Sequence, residues 1–215
     1  MTQLAPKRSR KVKPSRPQAK LIIISGPSGV GKTTLCDRLL AEFPQLYISI
    51  STTTRPARSH EKEGVDYFFV SRNDFQTLRD KGAFAEWARV HDHFYGTRKS
   101  TVNDALKQGR CVLFNIDVQG AQSLYQHYGE DCVLIFVSPP SLQELEHRLR
   151  DRGDESASSI AKRLKDAYTE IQSADFFQHH ILNDELERAY RELKDLVGKI
   201  CGITAGKQHK PRSKT

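Results

Sequence analysis

The sequence predicts an α/β fold in three layers, with a parallel core sheet covered by helices on both faces. Three observations predict it. Short, fully apolar runs at 21–24, 111–114 and 132–137 read as strands buried on both faces. Helix-periodic segments separate these runs, as parallel strands require. Two stretches, 64–97 and 152–160, break the alternation and mark an inserted lobe and a lid.

Each element follows from its residues. The first strand, 21–24, runs into Ser25-Gly26. Residues 33–43 carry Leu35, Leu39 and Leu40 at helical spacing, and Pro44 stops that helix. Residues 47–51 read as a second strand. In the inserted stretch, 65–70 and 84–90 show mostly alternating polarity and predict a small half-exposed sheet. Strands at 111–114 and 132–137 follow, and a fifth is expected near His180-Ile181-Leu182, with His179-His180 flanking it. Pro139-Pro140 precede Ser141-Leu142-Gln143-Glu144, a capping box that opens a helix. Its expected apolar stripe is Leu142, Leu145 and Leu149, with Arg148 and Arg152 on one flank. The polar, small-residue stretch 152–160 suits a mobile lid. The next helix is expected to bury Ile160, Leu164, Ala167, Tyr168 and Ile171 and to set Arg163 beside them.

Composition narrows the class. The chain has 215 residues, 37% of them hydrophobic, enough for a core. No apolar run is long enough to span a membrane, and the N-terminal residues carry no signal-type apolar stretch. The four cysteines form no metal-ligand pattern and read as reduced thiols, so a cytoplasmic protein is expected. The net charge of +8 misleads: 11 of the 34 bases lie in residues 1–20 and 205–215, which hold no acid. Residues 21–204 keep 23 bases against 26 acids, a net −3, so the domain itself is no general polyanion binder. The two tails read either as solvated chain or as arms for weak polyanion or nucleic-acid contact. Nothing in the sequence separates a monomer from a homodimer.

The strongest chemical signal is Gly26-Pro27-Ser28-Gly29-Val30-Gly31-Lys32-Thr33, which matches G-x-x-x-x-G-K-[ST] between a strand and a helix. Its glycines let backbone N–H groups turn towards a phosphate chain, and the helix N-terminus adds positive potential. Lys32 can reach the outer phosphates, and Thr33 can ligate magnesium. This names a nucleoside triphosphate but no acceptor. For the acceptor, Ser51-Thr52-Thr53-Thr54-Arg55-Pro56-Ala57-Arg58 sets two guanidiniums beside hydroxyls, which suits a phosphate monoester. Tyr67 and Tyr95 can add phenol donors, although each also reads as an ordinary sheet aromatic.

These motifs, with G-V-D-Y-F-F-V (64–70), A-E-W-A (85–88), Y-G-T (95–97), I-D-V-Q-G (116–120), P-P-S (139–141) and I-L-N-D (181–184), resemble the guanylate kinase family of P-loop nucleoside monophosphate kinases. The resemblance spans residues 20–200. It implies a P-loop NTPase fold with an inserted, small mixed-sheet GMP-binding lobe. On that pattern the core is 21–51, 98–150 and 166–204, the lobe 52–97 and the lid 151–165, between tails 1–20 and 205–215.

The resemblance also implies roles. Gly26 to Thr33, with Thr34 and Asn183, would bind ATP. Arg55, Arg58, Tyr67 and Tyr95 would hold the GMP phosphate. Glu86 would accept from guanine N1–H and the 2-amino group, Ser51 and Thr97 would donate to O6, and Asp117 would assist at the amino group. Lys32, Arg55, Arg148, Arg152 and Arg163 would stabilise the migrating phosphoryl group, with Mg²⁺ at Thr33. Arg148 also has Glu144 at i−4, the spacing of a helix-surface pair. The implied reaction is ATP-dependent phosphorylation of GMP, and of dGMP, in purine nucleotide metabolism. Alternatives are a catalytically weak binding module or a kinase with another phosphate acceptor. One position departs from the family: Asn115 stands where an acid is usual, two residues before Asp117.

Overall fold

The computed structural model describes residues 19–90, 92–151 and 157–204. Residues 1–18 and 205–215 of the tails, His91, and the stretch 152–156 with Arg152 lie outside the described residues.

The core sheet has five strands: β1 (Leu21–Ser25), β2 (Tyr47–Ile48), β7 (Val112–Asn115), β8 (Cys132–Ser138) and β9 (His179–Leu182). They run parallel in the order β2-β7-β1-β8-β9. The pleat sorts the apolar run of β1 onto two faces. Ile22 and Ile24 pack with Leu35 and Leu39 of α1 (Lys32–Glu42) and Leu193 and Val197 of α7 (Leu186–Cys201). Leu21 and Ile23 pack instead with Val102 and Ala105 of α3 (Lys99–Lys107) and Ala121 and Leu124 of α4 (Val118–Tyr128). Every one of these side chains is buried, so the expected three layers are present.

A second, mixed sheet lies between the first two core segments. It contains β3 (Thr52–Thr53), β4 (Phe68–Phe69), β5 (Phe84–Val90) and β6 (His93–Arg98) in the order β4-β3-β6-β5. β3 pairs parallel with β4 and antiparallel with β6, and β5 pairs antiparallel with β6. α2 (Arg72–Asp80) is a helix the periodicity did not reveal. Ser71 caps it by accepting from Asp74 N at 3.1 Å, and Phe75 stacks between Phe84 and Phe94 at 4.5 and 5.4 Å.

Two helices, α5 (Leu142–Arg150) and α6 (Ala157–Gln172), pack on each other through Leu145, Leu149, Ile160 and Ala167. Among the described residues no helix is long and apolar enough to cross a membrane.

Several expectations change. The strand expected over 47–51 ends at Ile48, because after Ser49 N bonds Leu113 O at 2.9 Å the chain leaves for the second sheet at Thr52. The strand expected over 65–70 shrinks to Phe68–Phe69, because a turn from Lys62 to Asp66 leaves Val65 exposed. Leu142 and Tyr168 are exposed, not core. The first sits at the outer end of α5, and the second lies one position beyond buried Ala167, turned about 100° round the helix. Residues 157–160, expected in the lid loop, already belong to α6.

Candidate active site: a cleft between a phosphate loop and a guanidinium-lined lobe

β1 sits centrally, between β7 and β8, so the loop leaving its C-terminal end opens into the crevice where open α/β sheets take ligands. The loop from Gly26 to Gly31 then feeds the N-terminus of α1. Gly26 has φ +137°, and a Cβ there would meet the Val137 carbonyl oxygen at 2.1 Å, so no other residue fits beside β8. Lys32 lies back over the loop, its Nζ donating to Gly26 O at 2.5 Å and Pro27 O at 3.0 Å. Thr33 and Thr34 are exposed at the helix start and face the cleft.

The cleft, about 720 Å³, joins this loop to the second sheet and to α6. Gly26, Ser28, Gly29, Gly31, Lys32, Thr33 and Thr34 line one side. Ser51, Arg55, Arg58, Tyr67, Glu86 and Tyr95 line the other, with Asn115 and Asp117 at its floor and Arg163 on α6. Arg163 reaches the loop, its Nη1 3.4 Å from Ser28 Oγ. At the rim Lys162 Nζ stands 4.0 Å from Asp92, so α6 and the turn between β5 and β6 meet across the opening.

The two arginines of the lobe share a carboxylate that the sequence reading missed. Arg55 Nη2 donates to Glu61 Oε1 at 2.6 Å, and the Arg58 backbone N–H donates to Glu61 Oε2 at 2.8 Å. The Arg58 guanidinium lies 3.7 Å from the same Oε1. Burial alone raises the Glu61 carboxyl, but these hydrogen bonds and the two positive charges carry it below the usual carboxylate range. Arg55 also lies over the Tyr67 ring at 5.3 Å, and the rings of Tyr67 and Tyr95 meet edge-on at 6.0 Å. The signal in the sequence was the i, i+3 spacing of Arg58 and Glu61.

Glu86 leaves β5 into the buried end of the cleft, only 5% exposed, beside its cross-strand neighbour Thr97. Burial pushes its carboxyl up to about 7, with Thr97 pulling it down and Asp117 pushing it up. Asp117 caps α4, its Oδ1 accepting from Gly120 N at 2.9 Å, and burial raises it too. At the end of β7, Asn115 Nδ2 lies 3.3 Å from Thr33 Oγ1.

Some of the expected site residues stand back from the cleft wall. Pro27 and Val30 serve the loop's internal turn, with Val30 N bonded to Pro27 O at 3.2 Å. Thr97 is fully buried behind Glu86. Asn183 is buried beneath the loop, donating to Val30 O at 2.6 Å. Arg148 donates to Glu144 Oε1 at 2.9 Å and Asn183 O at 3.0 Å, so the helix-surface pair forms and the guanidinium braces the loop's underside. Arg152 lies outside the described residues. Beyond Glu61, the sequence reading also missed Lys162, Asp166 and Glu170, one ridge of α6 at i, i+4 spacing that lines the cleft.

Comparison with known proteins agrees with this architecture. The family model for guanylate kinase matches residues 18–200. A guanylate kinase of Nitratidesulfovibrio vulgaris is 50% identical over 174 residues, covering 81% of this chain and 84% of that one. One from Mycoplasma genitalium is 45% identical over 181 residues, covering 84% of this chain and 75% of its own. The crystal structure of guanylate kinase from Anaplasma phagocytophilum superposes with a TM-score of 0.74 at 31% identity, covering 88% and 89% of the two chains. The family model and these relatives span nearly all of residues 20–200 and meet in one conclusion: the chain belongs to the guanylate kinase family.

Proposed function

We propose that the chain transfers the γ-phosphoryl group of ATP to GMP, giving ADP and GDP. One observation carries this reading: a single cleft joins a phosphate loop to a lobe bearing two guanidiniums, two phenols and a buried carboxylate. The loop amides and Lys32 take the ATP phosphates. Arg55 and Arg58 grip the GMP phosphate in bidentate fashion, with Tyr67 and Tyr95 donating beside them. Glu86, once ionised, accepts from guanine N1–H and the 2-amino group. Adenine has an acceptor at N1 and no 2-amino group, so it leaves that carboxylate unpaired and is rejected by about 10²-fold or more.

The attacking atom is a phosphate oxygen of GMP, already ionised near neutral pH, so no general base is needed. The rate rests on positioning and on charge stabilisation of a loose phosphoryl transition state. Arg163, bonded to Ser28 in the loop, supplies a guanidinium on the α6 side. Thr33, facing the cleft with Asn115 beside it, offers the hydroxyl that fits Mg²⁺ carried with ATP. When bound there, magnesium would supply positive charge to offset that of the triphosphate. On this reading the protein works in the cytoplasm, accepts dGMP as well as GMP, and uses its basic tails at most for weak polyanion contact.

A coupled assay for ADP across an acceptor panel, with and without magnesium, tests the proposal. GMP and dGMP should turn over and AMP should not. Folded protein that makes no ADP with GMP, or prefers another acceptor, overturns it.

A further inference from the structure

Thr33 ends the phosphate loop, and its hydroxyl is approached by the Asn115 amide at 3.3 Å. An amide brings no charge to a dication. Five acids line the same cleft among the described residues: Glu86, Asp92, Asp117, Asp166 and Glu170. Glu86 lies deep in the GMP lobe beside Thr97. Asp92 is exposed at the rim, facing Lys162 at 4.0 Å. Asp117 spends Oδ1 on the Gly120 N–H at 2.9 Å. Asp166 is already engaged.

Glu170 differs from all of them. It projects from α6 into the cleft, and its Oε2 is buried with no hydrogen-bond partner among the described residues. Burial pushes its carboxyl up to about 7, Lys32 pulls it down, and Asp117 and Asp166 push it up, so a cation brought beside it would favour the ionised form. A buried carboxylate oxygen without a donor is unfavourable unless something in the working state satisfies it. That something must bring donors and positive charge to a site beside the phosphate loop. A hydrated divalent cation carried in with a triphosphate brings both, because magnesium keeps several of its waters when it binds.

We propose that Glu170 is the carboxylate that accepts hydrogen bonds from the water shell of the ATP-bound cation, supplying from α6 the charge that Asn115 lacks. The inference rests on the functional reading above and adds a residue to it. Glu170 acts through the cation's waters, so it is a positioning residue. It also ties cation binding to α6, the helix that carries Arg163 and Lys162 to the cleft.

The test uses Mn²⁺ as the probe. Its affinity is read by electron paramagnetic resonance on the full chain with a non-hydrolysable ATP analogue. Glu170→Gln keeps the shape and removes the charge. It should weaken Mn²⁺ about tenfold or more, as loss of an outer-shell partner does. Binding of the analogue in EDTA should stay within twofold of the parent. Adding Asn115→Asp to Glu170→Gln should recover most of the lost Mn²⁺ affinity. Mn²⁺ affinity within twofold of the parent in Glu170→Gln overturns the inference. Equal losses with and without metal also overturn it, since Glu170 would then act on Lys32 or the loop. Both outcomes leave the GMP kinase reading intact. If the parent chain binds no ATP analogue at all, that reading fails and this inference fails with it.

Discussion

Gly120 makes room for Glu86. A methyl group on Gly120 would stand 2.9 Å from Glu86 Oε2 and 3.1 Å from Asp117 Oδ1. The first turn of α4 therefore packs its backbone against the buried carboxylate proposed to read guanine, and the same turn is capped by Asp117.

This contact makes Gly120→Ala an informative variant. Alanine is favoured over glycine within a helix by about 1 kcal/mol, so thermal stability should hold or rise slightly. Glu86 has to move, and KM for GMP should increase about tenfold or more while KM for ATP stays put. Steady-state kinetics in each substrate checks this, and equal losses for both substrates would contradict it.

The raised pKa of Glu86 sets a pH dependence. A carboxyl held near 7 is mostly protonated at pH 6 in the free enzyme, whereas guanine's donors need the ionised form. GMP binding therefore releases a proton below about pH 7 and tightens as pH rises, by up to tenfold per unit until the carboxyl is ionised. Calorimetry in two buffers of different ionisation enthalpy should show proton release at pH 6 and almost none at pH 8. Folding runs the other way: with its folded value raised from 4.5, Glu86 favours the folded chain at low pH and loses that contribution as pH climbs through about 7.

Glu61 holds Arg55 and Arg58 in place before any phosphate arrives. Each guanidinium left loose costs about 1 kcal/mol to immobilise on binding. Glu61→Gln should raise KM for GMP about tenfold with kcat changed much less. A drop in kcat with KM unchanged would point to a role in the transfer step itself.

Lys32→Ala should lower turnover by about two orders of magnitude or more with an unchanged circular dichroism melt. The side chain donates to carbonyls of its own loop, at Gly26 and Pro27, so the fold should survive its loss. Unchanged turnover would end the phosphate-loop assignment.

Deleting residues 1–19 removes six of the eleven tail charges and no acid. Turnover and KM should stay within about twofold, because the cleft lining among the described residues runs from Gly26 to Glu170. Any binding to RNA should weaken and lose salt sensitivity. RNA binding that persists unchanged would exclude the N-terminal tail as its source.

The sequence by itself determined the layers and the loop. Runs such as Ile22-Ile23-Ile24, short and ending at Ser25-Gly26, read as strands buried on both faces, and G-x-x-x-x-G-K-T between strand and helix reads as a phosphate loop. Both signals are local: they depend on spacing along the chain, not on what lies across the fold. Tertiary structure decided what local spacing cannot carry. Glu61, Gly120 and Glu170 gain meaning only from what folding brings to them: Glu61 bridges two arginines, Gly120 clears space for a residue 34 positions earlier, and Glu170 turns an oxygen with no hydrogen-bond partner among the described residues towards a loop more than a hundred residues upstream. The same logic turned Arg148 beneath the loop and left Tyr168 in solvent, since a helix face is chosen by what packs against it and not by its own apolar count.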